Sequence, residues 1–288
     1  MLTVSLFIRA RNEAATLDRT LCAIRAGRRI PDQVVVLDNE SDDDTALIAA
    51  RSDAVVRSIS RSQFTYGAAL NRALEFTEGQ VIVFLSAHSP PLDERWLDSL
   101  IRPIESGEAS ATFGRQVPES GVNPFEEWIV YRTFPRCPRK WKAMLGLQKI
   151  TFSAANAAVL TSSLRQYPFR EDLAFAEDIE WAARVRGSGH RLTYCPEAAV
   201  YHSHRFEPGE LEKRMRAVGR SMRQQGGGSW YRNGVVCRLV HLAAMTVDLL
   251  YCVSRGYWRP IRQIHAYRRA YFRGLRAGIG GAPTTKIT

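Results

Sequence analysis

Along the first hundred residues, short apolar runs alternate with stretches in which apolar residues return every three or four positions. The two periods distinguish strands from helices. Thr3–Ile8 is a strand-like apolar run, and Leu17, Leu21 and Ile24 then share one helical face that Gly27 ends. Gln33–Leu37 is continuously apolar, as a strand covered on both faces must be. Next come a short helix over Asp44–Arg51, a strand over Ala54–Ile59, a helix over Ala68–Phe76 and a buried strand over Val81–Leu85. Asp93–Ile104 is an amphipathic helix presenting Trp96, Leu97, Leu100 and Ile101. Strands and helices in this alternation predict an α/β fold with a parallel sheet.

From Pro118 to Lys149 the pattern breaks. Prolines and aromatics predict a long loop region with short helices around Trp128 and Trp141. Order returns at Phe152–Leu160, and Glu177–Arg186 is a predicted helix closed by Gly187 and Gly189. Arg191–Tyr194 and Ala198–Tyr201 are predicted as two short strands. Beyond Pro208 the pattern is helical to about Arg276, interrupted at Gly226–Gly228 and at Pro260. The expected division is an α/β domain over residues 1–207 and a helical extension over 208–288.

Composition changes this picture at one end only. With 45% hydrophobic and 24% charged residues, the chain is ordinary globular material with enough length for one large core. Five dispersed cysteines without a Cys-x-x-Cys pair predict reduced thiols. Met1 to Arg9 is strand-like and meets Arg9 and Arg11 before any signal-peptide pattern, so the expected location is cytoplasmic. The net charge of +11 sits in the extension, where sixteen Lys and Arg face four acids from Tyr201 onward. A basic tail suits an anionic membrane surface, here the inner face of the membrane. No nucleic-acid recognition motif accompanies it, so nucleic acid is not expected as a partner. Val235–Ser254 is apolar but broken by Arg238, His241 and Asp248. A charge at the centre of a spanning helix costs about 2.5–3.5 kcal/mol, which favours packing or lying in the membrane interface over spanning.

Candidate chemistry gathers where strands are expected to end. After the first strand comes Arg9-Ala10-Arg11-Asn12-Glu13, without the Gly-x-Gly-x-x-Gly that a dinucleotide requires there. After the second comes Asp38-Asn39-Glu40-Ser41-Asp42-Asp43-Asp44-Thr45. So acidic a loop repels phosphate and suits hydrogen bonding to a base or ribose, while Ser41 or Asp44 also fits the cap of the next helix. Glu177-Asp178 opens a helix, where the macrodipole favours ionised carboxylates, and a carboxylate facing a cleft can serve as a general base. His202-Ser203-His204 puts two imidazoles on one side of a strand end.

ArgAlaArgAsnGlu, ValValLeuAspAsnGluSerAspAspAspThr, PheThrTyrGlyAlaAlaLeuAsn, GluAspIleGluTrpAlaAlaArgVal and ValTyrHisSerHis occur in this order between Thr3 and Phe206. Together they resemble the family 2 glycosyltransferases, particularly their rhamnosyltransferase-like bacterial branch. The resemblance implies a GT-A (Rossmann-like) nucleotide-sugar-binding domain with a mixed sheet, a nucleoside-diphosphate sugar donor and inversion at the anomeric carbon. It implies donor contacts from Arg11 and Glu13, base recognition by Asp38 with Ser41 and Asp42 supporting the loop, and a helix start at Gly67 and Asn71 that closes over the nucleotide. Asp178 resembles the catalytic base and Glu177 its neighbour, while Phe152–Asn156 resembles the acceptor-side segment, with Asn156 and Trp181 facing the acceptor. The acceptor would be a glycan, a lipid-linked saccharide or a small molecule.

The family places an Asp-x-Asp, or a single Asp, after the fourth strand to hold Mn²⁺ or Mg²⁺ on the diphosphate. Here Ser86-Ala87-His88 stands at that position. Either His88 joins a histidine of His202-Ser203-His204 around a transition metal, or no metal is used and His88 with His202 or His204 neutralises the leaving group. Arg115 is a further source of positive charge for it. A nucleotidyltransferase would need a Gly-rich, basic loop after the first strand, which is missing; an inactive sugar-binding protein would not need Glu177-Asp178.

Overall fold

The computed structural model describes residues 1–140, 144, 150–228, 233–257 and 261–281. Trp141 and Pro260, which the sequence marked as features, lie outside them. The strands are β1 (Val4–Ala10), β2 (Gln33–Asp38), β3 (Val55–Ser58), β4 (Val81–Ser86), β5 (Ala111–Val117), β6 (Asn156–Leu160) and β7 (Leu192–Tyr201). The helices are α1 (Ala14–Arg25), α2 (Thr45–Arg51), α3 (Tyr66–Asn71), α4 (Ala73–Phe76), α5 (Trp96–Glu105), α6 (Pro124–Thr133), α7 (Thr161–Gln166), α8 (Glu177–Gly187), α9 (Pro208–Gln224), α10 (Gly234–Ser254) and α11 (Ile261–Gly280).

The described chain divides into two compact units. The first holds Met1–Ser120, Val130–Asp172 and Glu177–Ser203, and is built on one seven-stranded sheet of order β3-β2-β1-β4-β6-β5-β7. β1 to β4 run parallel, β6 runs antiparallel between β4 and β5, and β5 pairs parallel with β7. The sheet is mixed, as expected of this fold. Side chains alternate across it: Leu6 and Ile8 enter a core with Leu17, Leu21 and Trp96, while Phe7 enters the opposite core with Phe84, Phe113 and Trp181. Both faces are therefore covered, and this is why β1, β2 and β4 read as unbroken apolar runs.

Two elements differ from the expected layout. β5 carries Gly114, Arg115 and Gln116, which hide it as a strand in the sequence. Gly114 is needed because a Cβ there would lie 2.0 Å from the Ala198 carbonyl oxygen. The two short strands predicted near residues 191–201 are one strand, β7, whose pairing slips beside Gly114 and Arg115. That irregularity takes up the residues that looked like a break.

The second unit holds Gly121–Ile129, Leu173–Ala176 and His204–Thr288, so it draws in three segments that the expected boundary at 207 gave to the first: 121–129, 173–176 and 204–207. Phe125 and Ile129 belong to it because they pack with Leu211, Cys252, Ile264 and Tyr267. α9 begins with a reciprocal capping box between Glu207 and Glu210, with Pro208 in its first turn. α9 and α11 meet backbone to backbone: a Cβ on Gly278 would lie 2.2 Å from the Arg216 carbonyl oxygen, and one on Gly219 would lie 2.5 Å from that of Leu275. All five cysteines are free thiols.

Candidate active site

The register aligns the carboxyl ends of three parallel strands, pairing Ala10 with Asp38 and Arg9 with Ser86. Open α/β sheets bind ligands at this edge. The antiparallel β6 brings its amino end to the same edge, where Leu85 pairs with Asn156 and the Ser86 N–H is donated to the Ala155 carbonyl. At this edge Asn12 and Glu40, which follow β1 and β2, hold left-handed φ values of +54° and +47°. Such conformations cost about 1–3 kcal/mol and persist where surrounding bonds enforce them. Here the bonds are explicit: the Asn12 N–H is donated to Ser41 Oγ at 2.9 Å and the Asp42 N–H to Asn12 Oδ1 at 2.8 Å.

In the acidic loop Asp38, Asp42 and Asp43 have distinct partners. Asp38 is buried and accepts both the N–H and the hydroxyl of Ser41, which closes the turn. Exposed Asp42 pairs with Arg61, whose hydrogen bond and charge hold its carboxyl below the usual range. Asp43 accepts the Ala14 N–H at the start of α1 and the Thr45 N–H at the start of α2. The helix-capping carboxylate is therefore Asp43; Asp44 occupies the N-cap position of α2 but makes no side-chain cap.

Glu13 turns inward toward His88, its Oε1 lying 2.8 Å from His88 Nδ1, and also accepts the Thr16 hydroxyl at 2.6 Å. Burial acts to raise the Glu13 carboxyl, but the hydrogen bond and charge of His88 outweigh it and hold the group below its usual value. The His88 ring stacks on that of His202, with centroids 4.8 Å apart and planes 14° from parallel. Ser89 Oγ lies 2.8 Å from His202 Nδ1, and the His202 N–H is donated to Val117. Glu13, His88 and His202, from three separate stretches of sequence, thus form one cluster. His204 belongs to the second unit, where its ring stacks on Phe206 and its N–H is donated to Glu126 at 3.3 Å.

Asp178 stands in the first turn of α8, just after Ala176, whose φ is +62°. Its Oδ2 accepts the Ala154 N–H at 3.2 Å and its Oδ1 the Ile179 N–H at 2.8 Å. The residue keeps some surface, yet its carboxylate is closely surrounded. Burial pushes the carboxyl up, and the two N–H bonds and the charge of Arg9 only partly oppose the rise. Its neighbour Glu177 is buried.

Asn156 and Trp181 do not face an acceptor. Asn156 is wholly buried, accepting the Trp96 indole N–H at 3.0 Å and donating to the Ala198 and Arg115 carbonyls. Trp181 is equally buried, donates to the Tyr167 carbonyl at 2.6 Å and packs on Phe152 and Phe169. Gly67 and Asn71 hold a loop, and Asn71 also lines an open cavity with Gln63, Arg72, Glu75 and Glu171. A Cβ on Gly67 would lie 2.1 Å from the Arg170 carbonyl oxygen, and Asn71 bonds Phe169 through both its N–H and its carbonyl. Arg11 is exposed beside Asp42. The unexpected residue is Arg9: its side chain lies over the Tyr66 ring, and its Nη1 is buried with no hydrogen-bond acceptor among the described residues. Arg115 Nε is in the same condition. Their burial follows from the pairing of β1 with β2 and β4, and of β5 with β7, which no local pattern discloses.

The glycosyl transferase family 2 model matches residues 5–167, more than half of the chain, and ends before Asp178 and His202. The chain belongs to glycosyl transferase family 2. It is 29% identical over 216 residues to the O-antigen chain rhamnosyltransferase RfbN of Salmonella typhimurium, covering 72% of this chain and 68% of that protein. It is 30% identical over 184 residues to the O-antigen chain rhamnosyltransferase WbaN of Salmonella anatum, covering 62% and 58%. In fold it matches the mannosyltransferase PcManGT of Pyrobaculum calidifontis, solved with GDP-Man and Mn²⁺, at a TM-score of 0.66, 16% identity and coverage of 96% and 87%. The glucosyl-3-phosphoglycerate synthase of Mycobacterium tuberculosis, solved with Mn²⁺ and UDP-Glc, matches at a TM-score of 0.58, 20% identity and coverage of 79% and 81%. This family 2 chain is a glycosyltransferase with a GT-A fold.

Proposed function

We propose that this glycosyltransferase inverts configuration, moving rhamnose from a nucleoside-diphosphate donor to a hydroxyl of a growing glycan or lipid-linked saccharide. Asp178 carries the mechanism: it is a carboxylate fixed by two backbone N–H groups at the ligand-binding edge of the sheet, with its basicity raised by burial. The acceptor oxygen attacks the anomeric carbon opposite the diphosphate, its proton passes to Asp178, and the bond from that carbon to the diphosphate oxygen breaks. General-base assistance of this kind contributes about 10²–10⁴-fold, roughly 3–5 kcal/mol of barrier. Arg9 and Arg115 offer buried N–H donors suited to the diphosphate. The choice of rhamnose rests on the two Salmonella relatives.

At the position where the family resemblance implies a metal-holding carboxylate, the donor set is imidazole. Ligand nitrogens of His88 and His202 lie within 4.8 Å of each other, and the Nδ1 atoms are engaged by Glu13 and Ser89. Engagement of one ring nitrogen by a carboxylate or hydroxyl is how metal-binding histidines are oriented. His88 and His202 therefore fit a transition-metal ion such as Mn²⁺ and suit Mg²⁺ poorly, since Mg²⁺ demands a near-octahedral oxygen shell. When bound, such an ion supplies positive charge to the leaving diphosphate.

The test is turnover with a panel of nucleoside-diphosphate sugars, read as nucleotide release, and the anomeric configuration of the product by NMR. Release from nucleoside-diphosphate rhamnose and an inverted product are expected. A retained configuration overturns the mechanism, preference for another sugar overturns the donor, and donor binding without turnover points to an inactive sugar-binding protein.

A further inference from the structure

α10 carries an apolar stripe that the second unit leaves uncovered. Val235, Leu239, Leu242, Leu249, Leu250 and Val253 recur at helical spacing on one side, with Leu239, Leu242 and Leu250 62%, 59% and 63% exposed. The opposite side is committed to the interior. Asp248 is bound through both oxygens by Arg268 at 2.6 Å, and both side chains are almost fully buried. One turn on, the Tyr251 hydroxyl is donated to Glu127 at 2.9 Å, and Cys252 is buried with Phe125 and Ile264. At about 1.5 Å per residue, a helix of this length presents an apolar strip of about 30 Å. Isolated surface leucines need no explanation, but a continuous strip of this kind marks a contact surface.

We propose that this strip lies flat in the interface of an anionic lipid leaflet, held there by burial of its leucines and by the positive charge of the unit. Charge decides the occupant. Sixteen Lys and Arg against four acids follow Tyr201, and Arg238 stands exposed at the margin of the strip. Arg269, Arg273 and Arg276 are exposed along α11, and Lys213, Arg216 and Arg220 along α9. Two copies of so basic a surface repel each other, whereas an anionic leaflet attracts it. α10 is long and apolar enough to cross a membrane, but its inner face commits Asp248 to a buried ion pair with Arg268 and Tyr251 to a half-buried contact with Trp128. Only one side is available to lipid, so the helix lies in the interface.

The test uses the full chain with phosphatidylcholine vesicles and with vesicles holding about a third phosphatidylglycerol. Binding to the anionic vesicles at low salt, weakened by added salt and released by alkaline carbonate, is expected. Leu242→Glu and Leu250→Glu should each lower vesicle affinity about tenfold or more, since each removes a leucine from the apolar phase. Both side chains are exposed, so the melting temperature and nucleotide release in solution stay unchanged and report an intact fold. Absence of binding at low salt, variants that bind as tightly as the native chain, or resistance to carbonate extraction would overturn the proposal. So would a dimer that these variants dissociate, because a second copy would then cover the strip.

Discussion

Replacing Asp178 by Asn tests the site at its centre. The carboxylate accepts N–H groups from Ala154 at 3.2 Å and Ile179 at 2.8 Å, one on each oxygen. An amide can accept only one of them and turns its own N–H groups toward the other, at a cost of about 1–3 kcal/mol. Removing a buried charge offsets part of this, so a domain stable by about 5–15 kcal/mol stays folded. Donor affinity should survive, because Asp178 faces the acceptor proton. Turnover should fall at least about a hundredfold, the lower bound for a lost general base. Burial raises the Asp178 carboxyl, so in the native enzyme the acidic limb of kcat/KM lies above the ordinary aspartate range and activity is lost as pH falls through it. Stability runs the other way. A raised folded-state value contributes stability at low pH that disappears as pH rises through it, and Asp178→Asn should abolish this dependence. Nucleotide release measured across pH, alongside calorimetric donor titration, decides the matter. Near-normal turnover in the mutant with an unmoved acidic limb would remove Asp178 from the mechanism.

Arg9→Gln removes a buried donor aimed at the same edge and should weaken nucleoside-diphosphate binding about 10–100-fold, read by calorimetry, the worth of a charge-assisted bond of about 1.5–3 kcal/mol. Unchanged affinity would leave Arg9 a packing residue on Tyr66. Glu13→Gln should lower Mn²⁺ affinity about 10–100-fold by electron paramagnetic resonance, because His88 loses its orienting carboxylate; equal affinity refutes imidazole ligation there. Gly67→Ala drives a Cβ against the Arg170 carbonyl and should cost about 1–3 kcal/mol of stability, visible as a Tm lowered by several degrees. Asp248→Leu should cost about 3–5 kcal/mol in denaturant unfolding and Arg268→Leu should restore much of it, since a stranded buried charge is worse than none.

Much of the fold was legible because burial on both faces of β1, β2 and β4 wrote unbroken apolar runs, and because Leu17, Leu21 and Ile24 wrote a helical face. β5 was not, since Gly114 answers to a backbone on another strand and Arg115 to a site, and neither contact leaves a local period. For the site, sequence order marked loops at the strand ends but could not give the direction of each side chain. Glu13 looked like a donor contact and is the partner of His88; Asn156 looked like an acceptor contact and locks Trp96 to β7. Arg9 was passed over because its burial comes from strand neighbours 28 and 77 residues away, Leu37 and Ser86.

In the proposed metal site, the Glu13–His88 pair places a carboxylate one side chain behind the imidazole. A bare Asp-to-His exchange would remove one negative charge from the edge and leave a neutral ligand. Here the charge is moved back by one side chain: Glu13, held ionised by its bond to His88, stands behind the ring at 2.8 Å. A carboxylate behind an imidazole raises the basicity of the ring's other nitrogen and fixes its orientation. His202 is set the same way by Ser89, a neutral hydroxyl, so the two stacked rings carry one anion between them. The charge such a site would present to a cation is thus comparable with that of a single aspartate, with nitrogen in place of oxygen as the ligand atom. Such an exchange alters which ion is preferred while leaving the electrostatic demand of the diphosphate unchanged.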